Sequence, residues 1–290
     1  MKKNSADWQP VIIVGAPRSG TNMLRDVMAK LPGMGTWPCD EINYIWRYGN
    51  ARYPSDKFPK KLATPKVVRY IRNEFQKLAN EMKLKYVLEK TCANSLRVGF
   101  IDEIFPDAKY IFIVRDGIDA SLSATKRWKA KLDVGYIVKK AKYVPISDMP
   151  YYASKYIMSR IFLLLSRQKR LSSWGPRIEN LQIELKNRPL DEVCALQWKD
   201  CVDLAVEDFR NIDSSRIFSV KYETFVHNPD LQILKIAEFL GYDSAQLDIP
   251  HLVSSVKKEN VNKGKNEISK EDIQRLTVLL EPTLKEHGYL

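Results

Sequence analysis

Residues 11–22 have the sequence VIIVGAPRSGTN, in which four consecutive apolar residues are followed at once by a glycine-bearing turn. An uninterrupted run of β-branched residues is typical of a strand that is buried on both faces of a parallel sheet. A helical pattern then covers residues 20–31, and Pro32 and Gly33 end it. The stretch therefore predicts a buried strand, a tight turn and a helix.

The same alternation continues along the chain. Tyr86–Leu88, Tyr110–Val114 and Ile217–Val220 are further strand candidates, and helical patterns cover residues 65–84, 94–104, 116–127 and 231–240. Strands and helices alternating at this spacing predict βαβ units. We therefore predict an α/β fold of three layers, with a central, mostly parallel sheet flanked by helices.

The middle of the chain has a different character. Apart from a weak strand candidate at Gly135–Val138, the patterns there are helical, over residues 151–171 and 190–209. A further helix is predicted from Ser269, which forms a capping-box-like pair with Asp272. We interpret residues 1–290 as one domain that carries a mainly helical insertion at about 129–210.

The composition restricts the partners and the compartment. The formal net charge of +12 favours anionic ligands, but the charge is scattered and no basic tail or zinc-ligand spacing is present. We expect no nucleic-acid partner. The four cysteines form no C-x-x-C pair, and no apolar run reaches the roughly 18 residues of a membrane span. We expect a cytoplasmic protein without a membrane span. Peripheral membrane contact and the oligomeric state stay open.

The turn at residues 15–22 is suited to anions. Backbone N–H groups at a helix N-terminus lack intrahelical acceptors and attract negative charge, and Arg18 adds a permanent cation. The glycine spacing equals that of a Walker A loop, which continues with Lys and then Ser or Thr. Thr21 and Asn22 occupy those two places. A P-loop kinase or other phosphotransferase, the main alternative, would therefore lack its phosphate lysine and its magnesium ligand.

A second anion-binding group is predicted after the strand at residues 110–114. Arg115 stands at the carboxyl end of this strand, where open α/β sheets bind ligands. Ser123 and Arg127 lie four residues apart on the following helix and share one face. Together the three side chains predict a phosphate clamp. The alternative is an ion pair of Arg115 with Asp116 or Asp119.

These two motifs resemble those of sulfotransferases that use 3′-phosphoadenosine 5′-phosphosulfate (PAPS). PRSGTN at residues 17–22 resembles the family's 5′-phosphosulfate loop, with Asn22 in place of a second Thr. Arg115 and Ser123 are similar to its 3′-phosphate motif, and Arg127 to an extra Arg of the tyrosylprotein and several bacterial enzymes. The resemblance implies a P-loop-like fold, PAPS as co-substrate, adenosine 3′,5′-bisphosphate (PAP) as product, and no metal.

Three further segments extend the resemblance. Residues 89–94 are similar to the family's K-T/D-P segment with Cys92 replacing Pro, and residues 222–229 to its Y-E-x segment. Residues 261–265 resemble the late basic loop over the 3′-phosphate. The implied nucleotide-binding residues are Arg18, Ser19, Gly20, Thr21, Asn22, Arg115, Ser123, Arg127, Tyr222, Asn262, Lys263 and Gly264.

The resemblance also implies catalytic roles. An acidic pair after the first helix supplies the base in the resembling enzymes, and its second carboxylate aligns with Glu41; Asp40 is the reserve. Lys90 and Arg18 would stabilise the transferring group. The alternatives are a solvated acidic loop and, for Lys90, a surface lysine at a strand end.

The acceptor is a hydroxyl compound on this interpretation. The loop at 37–58 is rich in aromatic and arginine side chains, which suit a sugar ring, so a carbohydrate or glycan is our first expectation. A small alcohol, a lipid and a tyrosyl peptide stay open, as do a core role for these side chains and a non-catalytic module that binds anionic ligands. The side chains concerned are Trp37, Tyr44, Trp46, Arg47, Tyr48, Arg52 and Tyr53.

Overall fold

A computed structural model describes residues 8–129, 142–165, 174–257, 261 and 263–290 of the chain. Within them, five strands form one sheet in which every neighbouring pair is parallel, in the order β2-β3-β1-β4-β5. The strands are β1 (Gln9–Val14), β2 (Met34–Gly35), β3 (Tyr86–Lys90), β4 (Lys109–Val114) and β5 (Ile217–Lys221).

Helices lie between these strands and after the last of them. They are α1 (Thr21–Met28), α2 (Asn43–Trp46), α3 (Pro65–Met82), α4 (Val98–Ile104), α5 (Gly117–Trp128), α6 (Met149–Leu165), α7 (Leu181–Asn187), α8 (Leu190–Phe209), α9 (Tyr222–His227), α10 (Pro229–Phe239), α11 (Ile249–Val253) and α12 (Lys270–Glu286). No helix in the described ranges combines the length and the apolar character that crossing a membrane requires.

The sheet is buried on both faces, as its apolar runs predict. Alternate side chains of β1 enter opposite cores: Ile12 and Val14 belong to the cluster under α3, α4, α5, α8 and α12, whereas Val11 and Ile13 belong to the cluster under α1, α10 and α11. The prediction of a three-layer α/β fold with a central parallel sheet is confirmed.

The strand order places a crevice at the end of β1. The chain runs from β1 outward to β2 and back to β3 on one side, and then crosses to β4 on the other side. Such a reversal is where open α/β sheets bind ligands, beyond the carboxyl ends of the strands. Ile13 pairs with Lys90, the last residue of β3, and Val14 pairs with Phe112, two residues before the end of β4, so the three carboxyl ends are close together.

Two local predictions change in detail. The helical pattern over residues 94–104 is interrupted at Arg97, because a 3₁₀ segment (Cys92–Leu96) and α4 are separate there. The loop after α1 contains the short helix α2.

The middle of the chain is described only in part. The candidate strand at 135–138 and the end of the helix predicted over 151–171 lie outside the described residues. Trp198 of α8 packs against Gly117 of α5 and belongs to the same core as the sheet.

Candidate active site

Four adjacent strands deliver the predicted site residues to one edge of the sheet. Lys90 ends β3, and the turn at residues 15–22, called the anion loop below, follows β1. Arg115 follows β4, and Tyr222 follows β5. Because the carboxyl ends of parallel strands meet at one edge, residues 132 positions apart, such as Lys90 and Tyr222, reach a common crevice.

The anion loop has a strained backbone and an unsatisfied hydroxyl. Arg18 and Gly20 both have left-handed φ angles, 67° and 87°, and Gly20 is the N-cap of α1. The ring of Tyr222 lies so close to Gly20 that a Cβ there would meet its Cδ2 at 2.4 Å. Ser19 Oγ is buried, and no partner for it exists in the described ranges. A buried hydroxyl at a helix N-terminus is suited to an anion oxygen.

Three arginines and Ser123 converge beside this loop. Arg115 Nη1 donates to the Arg18 carbonyl at 2.9 Å, and Arg18 Nε donates to Ser123 Oγ at 3.0 Å. Burial lowers the pKa of Arg18, and the like charges of Arg127 and Arg115 lower it further. Cations gathered this closely repel one another, so the crevice favours a multiply charged anion.

Asp119 links this arginine cluster to the late basic segment, a role that the sequence analysis did not assign. Its carboxylate accepts from Arg115 Nη2 and, at 2.5 Å, from the Gly264 N–H. The ion pair considered as the alternative for Arg115 therefore exists, but it coexists with the contact to Arg18. Lys265 pairs with Asp116 nearby. Asn262 lies outside the described residues, and Lys263 is exposed.

Tyr222 completes the wall of the crevice. Its ring faces the Arg115 guanidinium, with 4.5 Å between the guanidinium carbon and the ring centroid. The following residue, Glu223, accepts from the Asp116 N–H at 3.1 Å and from Tyr289 Oη at 2.7 Å. The first bond holds the start of α9 against the start of α5, and the second holds it against the segment that follows α12.

Lys90 joins the acidic pair to the end of β3. Its Nζ contacts Asp40 Oδ1 at 2.8 Å and Glu41 Oε1 at 3.1 Å, and its side chain is only 1% exposed. Burial opposes the charge of Lys90, but Glu41, Cys92 and Asp40 outweigh it and raise its pKa well above the usual range. Lys90 is therefore a buried, charged group that faces the acidic pair, not a surface lysine.

The two carboxylates have different surroundings. Asp40 also pairs with Arg25 Nη1 at 2.5 Å. Burial raises the pKa of Asp40, but the charges and hydrogen bonds of Lys90 and Arg25 outweigh this and hold it well below its usual range. Glu41 Oε1 instead accepts from the Cys92 N–H at 3.2 Å.

Sequence reasoning missed Arg25 and Cys92 as parts of this site. Arg25 lies one turn after Thr21 on α1, and this spacing was the available signal. Cys92 contacts Thr21 Oγ1 at 3.6 Å, and burial together with Glu41 raises the pKa of its thiol to about 12. Glu41 accepts a hydrogen bond from the Cys92 N–H. A proline at this position would have no N–H to donate, so the replacement of Pro by Cys makes this bond possible.

Three of the seven side chains named for the acceptor belong to the core, and the other four are half-buried or exposed. Trp37, Trp46 and Arg47 are at most 5% exposed, and Arg47 pairs with the buried Asp56 at 2.5 Å. The expectation that these side chains form platforms for a sugar is therefore wrong for these three residues. Tyr44 is half-buried and lies against Tyr152 of α6, with 4.6 Å between ring centroids.

The described residues contain no group of three His, Cys, Asp or Glu side chains that could hold a metal ion. At the crevice, arginine and lysine side chains and backbone N–H groups supply positive charge. Fixed donors of this kind can bind a nucleotide at one side and stabilise a charged group in transfer at the other.

The fold is thus that of a P-loop-like α/β protein, and the cations and backbone N–H groups at the switch point of its parallel sheet are suited to a polyanionic ligand. The model of the Sulfotransferase family matches residues 10–156, half of the chain. The chain belongs to the sulfotransferase family, and its identification as a PAPS-dependent member is thereby confirmed at the level of the family. No curated protein sequence gives a significant match.

Solved structures agree with the fold. The sulfotransferase domain of the Synechococcus PCC 7002 olefin synthase is 14% identical, with a TM-score of 0.54 and 98% of each chain covered. Sulfotransferase STF9 from Mycobacterium avium is 12% identical, with a TM-score of 0.54, 98% of this chain and 78% of that chain covered. The sulfotransferase domain of the curacin biosynthetic pathway is 12% identical, with a TM-score of 0.53 and coverages of 94% and 98%.

Proposed function

We propose that this chain transfers a sulfuryl group from PAPS to a hydroxyl acceptor, without a metal ion. The observation that carries the proposal is the convergence of Arg18, Arg115 and Ser123 with the unsatisfied Ser19 hydroxyl in one crevice. PAPS carries two separated anionic groups, and a clamp with cations at two adjacent strand ends is complementary to such a molecule.

The donor would lie across the end of β1. In this arrangement Ser19, Gly20, Thr21 and Asn22 receive the 5′-phosphosulfate at the N-terminus of α1. Arg115, Ser123 and the exposed Arg127 receive the 3′-phosphate, and the late segment with Asn262, Lys263 and Gly264 covers it. Tyr222 lies beside the nucleotide. The hydrogen bond between Arg18 and Ser123 supports a single shared ligand, since it joins the two halves directly.

Glu41 is the proposed base. It would take the proton from the acceptor hydroxyl as that oxygen attacks sulfur in line with the departing PAP. The two cations that hold Asp40 make it the poorer base, because a lowered pKa weakens its affinity for a proton. Lys90 contacts both carboxylates, and together with Arg18 it would stabilise the charge that develops on the transferring group.

For the acceptor we keep a carbohydrate or glycan as the first candidate. The support is the aromatic pair Tyr44 and Tyr152, because Tyr44 lies three residues after Glu41 along the chain and Tyr152 of α6 packs against it. We also propose one domain with a mainly helical insertion at about 129–210. Cys92, Cys194 and Cys201 are buried thiols outside any disulfide, which supports a reducing compartment such as the cytoplasm.

Calorimetry with PAP in magnesium-free buffer tests the donor site. The wild type should bind, and Arg115→Ala should lose at least tenfold in affinity, because a charge-assisted contact contributes about 1.5–3 kcal/mol. Arg216→Ala is the matched control, since Arg216 forms an ion pair with Asp102 away from the crevice. No binding by the wild type without magnesium would favour the kinase alternative.

Transfer is tested separately. Incubation of the wild type with PAPS labelled in its sulfuryl group and a panel of glycans, alcohols, lipids and tyrosyl peptides should label one class. PAP binding without any transfer across this panel would favour a non-catalytic binding module.

A further inference from the structure

A buried polar network lies beneath the acidic pair, and its centre is Glu89. This residue is 1% exposed, yet both its carboxyl oxygens accept hydrogen bonds, from Thr91 Oγ1 at 2.6 Å and from Asn94 Nδ2 at 2.5 Å. Burying a carboxyl group at the end of a sheet strand is unfavourable unless its oxygens are satisfied. Each of these two bonds begins a branch that leads to the acidic loop.

The first branch ends on the backbone of residue 42. Thr91 Oγ1 donates to Glu89 and accepts from the Ile42 N–H at 3.2 Å, so its donor and an acceptor position are both used. Thr91 and Ile42 are both buried. Water therefore has little access to this N–H, and the Thr91 hydroxyl determines whether it is satisfied.

The second branch ends on residue 43. Asn94 Oδ1 accepts from Arg97 Nε at 3.0 Å and from Nη2 at 2.7 Å, and the same Nη2 donates to Asn43 Oδ1 at 2.7 Å. The guanidinium of Arg97 is fully buried and also faces Asp56 at 3.8 Å. Both branches thus hold the two residues that directly follow Glu41.

We propose that Glu89 and Thr91 are positioning residues, which hold the backbone after Glu41 so that its carboxylate faces the transferring group. This inference rests on the proposed role of Glu41 as the base. Neither residue contacts the crevice in the way that Lys90 does; they act through the Ile42 N–H. A catalytic group must be held within about 0.5 Å of its productive place, so release of this anchor should reduce turnover.

A pair of substitutions at residue 91 isolates the anchor. Thr91→Val keeps the shape of the side chain and removes the hydroxyl, whereas Thr91→Ser keeps the hydroxyl. Hydrogen–deuterium exchange of a peptide that spans residues 38–46 reports on the Ile42 N–H without requiring any acceptor. We expect faster exchange in Thr91→Val by about tenfold or more, and near wild-type exchange in Thr91→Ser.

Turnover and nucleotide binding complete the test. Measured as PAP release with the acceptor class labelled in the panel, Thr91→Val should lower kcat about tenfold, while Thr91→Ser keeps it within about twofold. The affinity for PAP should stay within about twofold in both variants. Wild-type kcat or unchanged exchange in Thr91→Val would overturn the proposal.

A parallel loss of PAP affinity and thermal midpoint in Thr91→Val would also overturn it, because it would indicate a purely structural role. Failure of the proposed function looks different: the wild type itself would then fail to bind PAP or to transfer label. The exchange experiment would still report whether Thr91 anchors the loop in that case.

Discussion

Arg115 Nη1 donates a 2.9 Å hydrogen bond to the backbone carbonyl of Arg18. The bond joins the end of β4 to the loop after β1, so the two motifs that the sequence presents 97 residues apart form one structural unit. The Arg18 backbone has a φ of 67°, which is unfavourable for any residue with a Cβ. Strain of this kind persists where surrounding contacts determine the conformation.

Arg18 therefore has two effects that can be measured separately. Its left-handed backbone lowers the stability of the fold, and its side chain supplies a cation to the proposed PAP site. Arg18→Ala and Arg18→Gly both remove the cation and should lower PAP affinity about equally, by tenfold or more. Only Gly accepts the left-handed backbone, so Arg18→Gly should be about 1 kcal/mol more stable than Arg18→Ala. Urea unfolding and calorimetry of the two variants measure both quantities. Equal stability would show that the backbone at residue 18 is not strained.

The acidic pair should divide its roles between catalysis and structure. Glu41→Gln should lower kcat by about 10²–10⁴-fold and leave PAP affinity unchanged, because loss of a general base has this effect. Asp40→Asn, the matched control, should lower the thermal midpoint more than Glu41→Gln, since Asp40 holds both Lys90 and Arg25. If Asp40→Asn lost more kcat than Glu41→Gln, Asp40 would be the base and Glu41 the structural carboxylate.

Gly20 is required for two reasons: its φ is left-handed, and the Tyr222 ring leaves no room for a Cβ. Gly20→Ala adds a Cβ that meets the Tyr222 ring at 2.4 Å, so we expect lower stability and weaker PAP binding. Gly241→Ala is a close control, because its φ of 84° imposes the same strain and nothing lies within 4 Å of the added atom. Each variant should lose about 1 kcal/mol from the backbone alone. Only Gly20→Ala should lose nucleotide affinity, measured by calorimetry.

Stability should fall with rising pH because of Glu89. Burial raises the pKa of its carboxyl from 4.5 to about 7, although Thr91, Arg97 and Lys90 oppose the shift. The folded state therefore holds the proton more tightly than the unfolded state, so this contribution is complete below pH 4.5 and is lost as pH rises through about 7.

The comparison with Glu89→Gln isolates this effect. Each pKa unit corresponds to about 1.4 kcal/mol, so the wild type should lose roughly 3 kcal/mol relative to the variant between about pH 4 and pH 8. Urea unfolding across this range measures the difference. A difference that is independent of pH would contradict a raised pKa for Glu89, whatever its absolute size.

The convergence of Arg18 and Arg115 at one side of the sheet was predictable because the sequence signals for it are local. A buried strand followed by a turn places Arg18 or Arg115 at a sheet edge, and parallel pairing then brings the edges together. The sequence analysis considered Asp119 only as an alternative ion-pair partner for Arg115. Its second bond, to the Gly264 N–H, joins residues 145 positions apart, and no local pattern indicates it.

The burial of side chains in the loop at residues 37–58 was less predictable for a physical reason. An irregular loop has no periodicity, so its sequence does not indicate which side chains face inward. Trp46 and Arg47 are buried, and Arg47 is acceptable in the core because Asp56 and backbone carbonyls accept hydrogen bonds from both terminal nitrogens of its guanidinium. The same aromatic and arginine composition describes a sugar platform and a polar core equally well.

The contacts of Asp119 and Tyr222 also determine when the crevice can form during synthesis of the chain. Gly264 and Tyr222 emerge from the ribosome long after residues 10–156, the segment that matches the family model. A growing chain that has completed β4 still lacks the wall beside Arg115 and the segment that Asp119 holds. On the proposed function, the chain therefore gains the ability to retain the donor only late in synthesis, and we expect a fragment that ends at residue 156 to lack it.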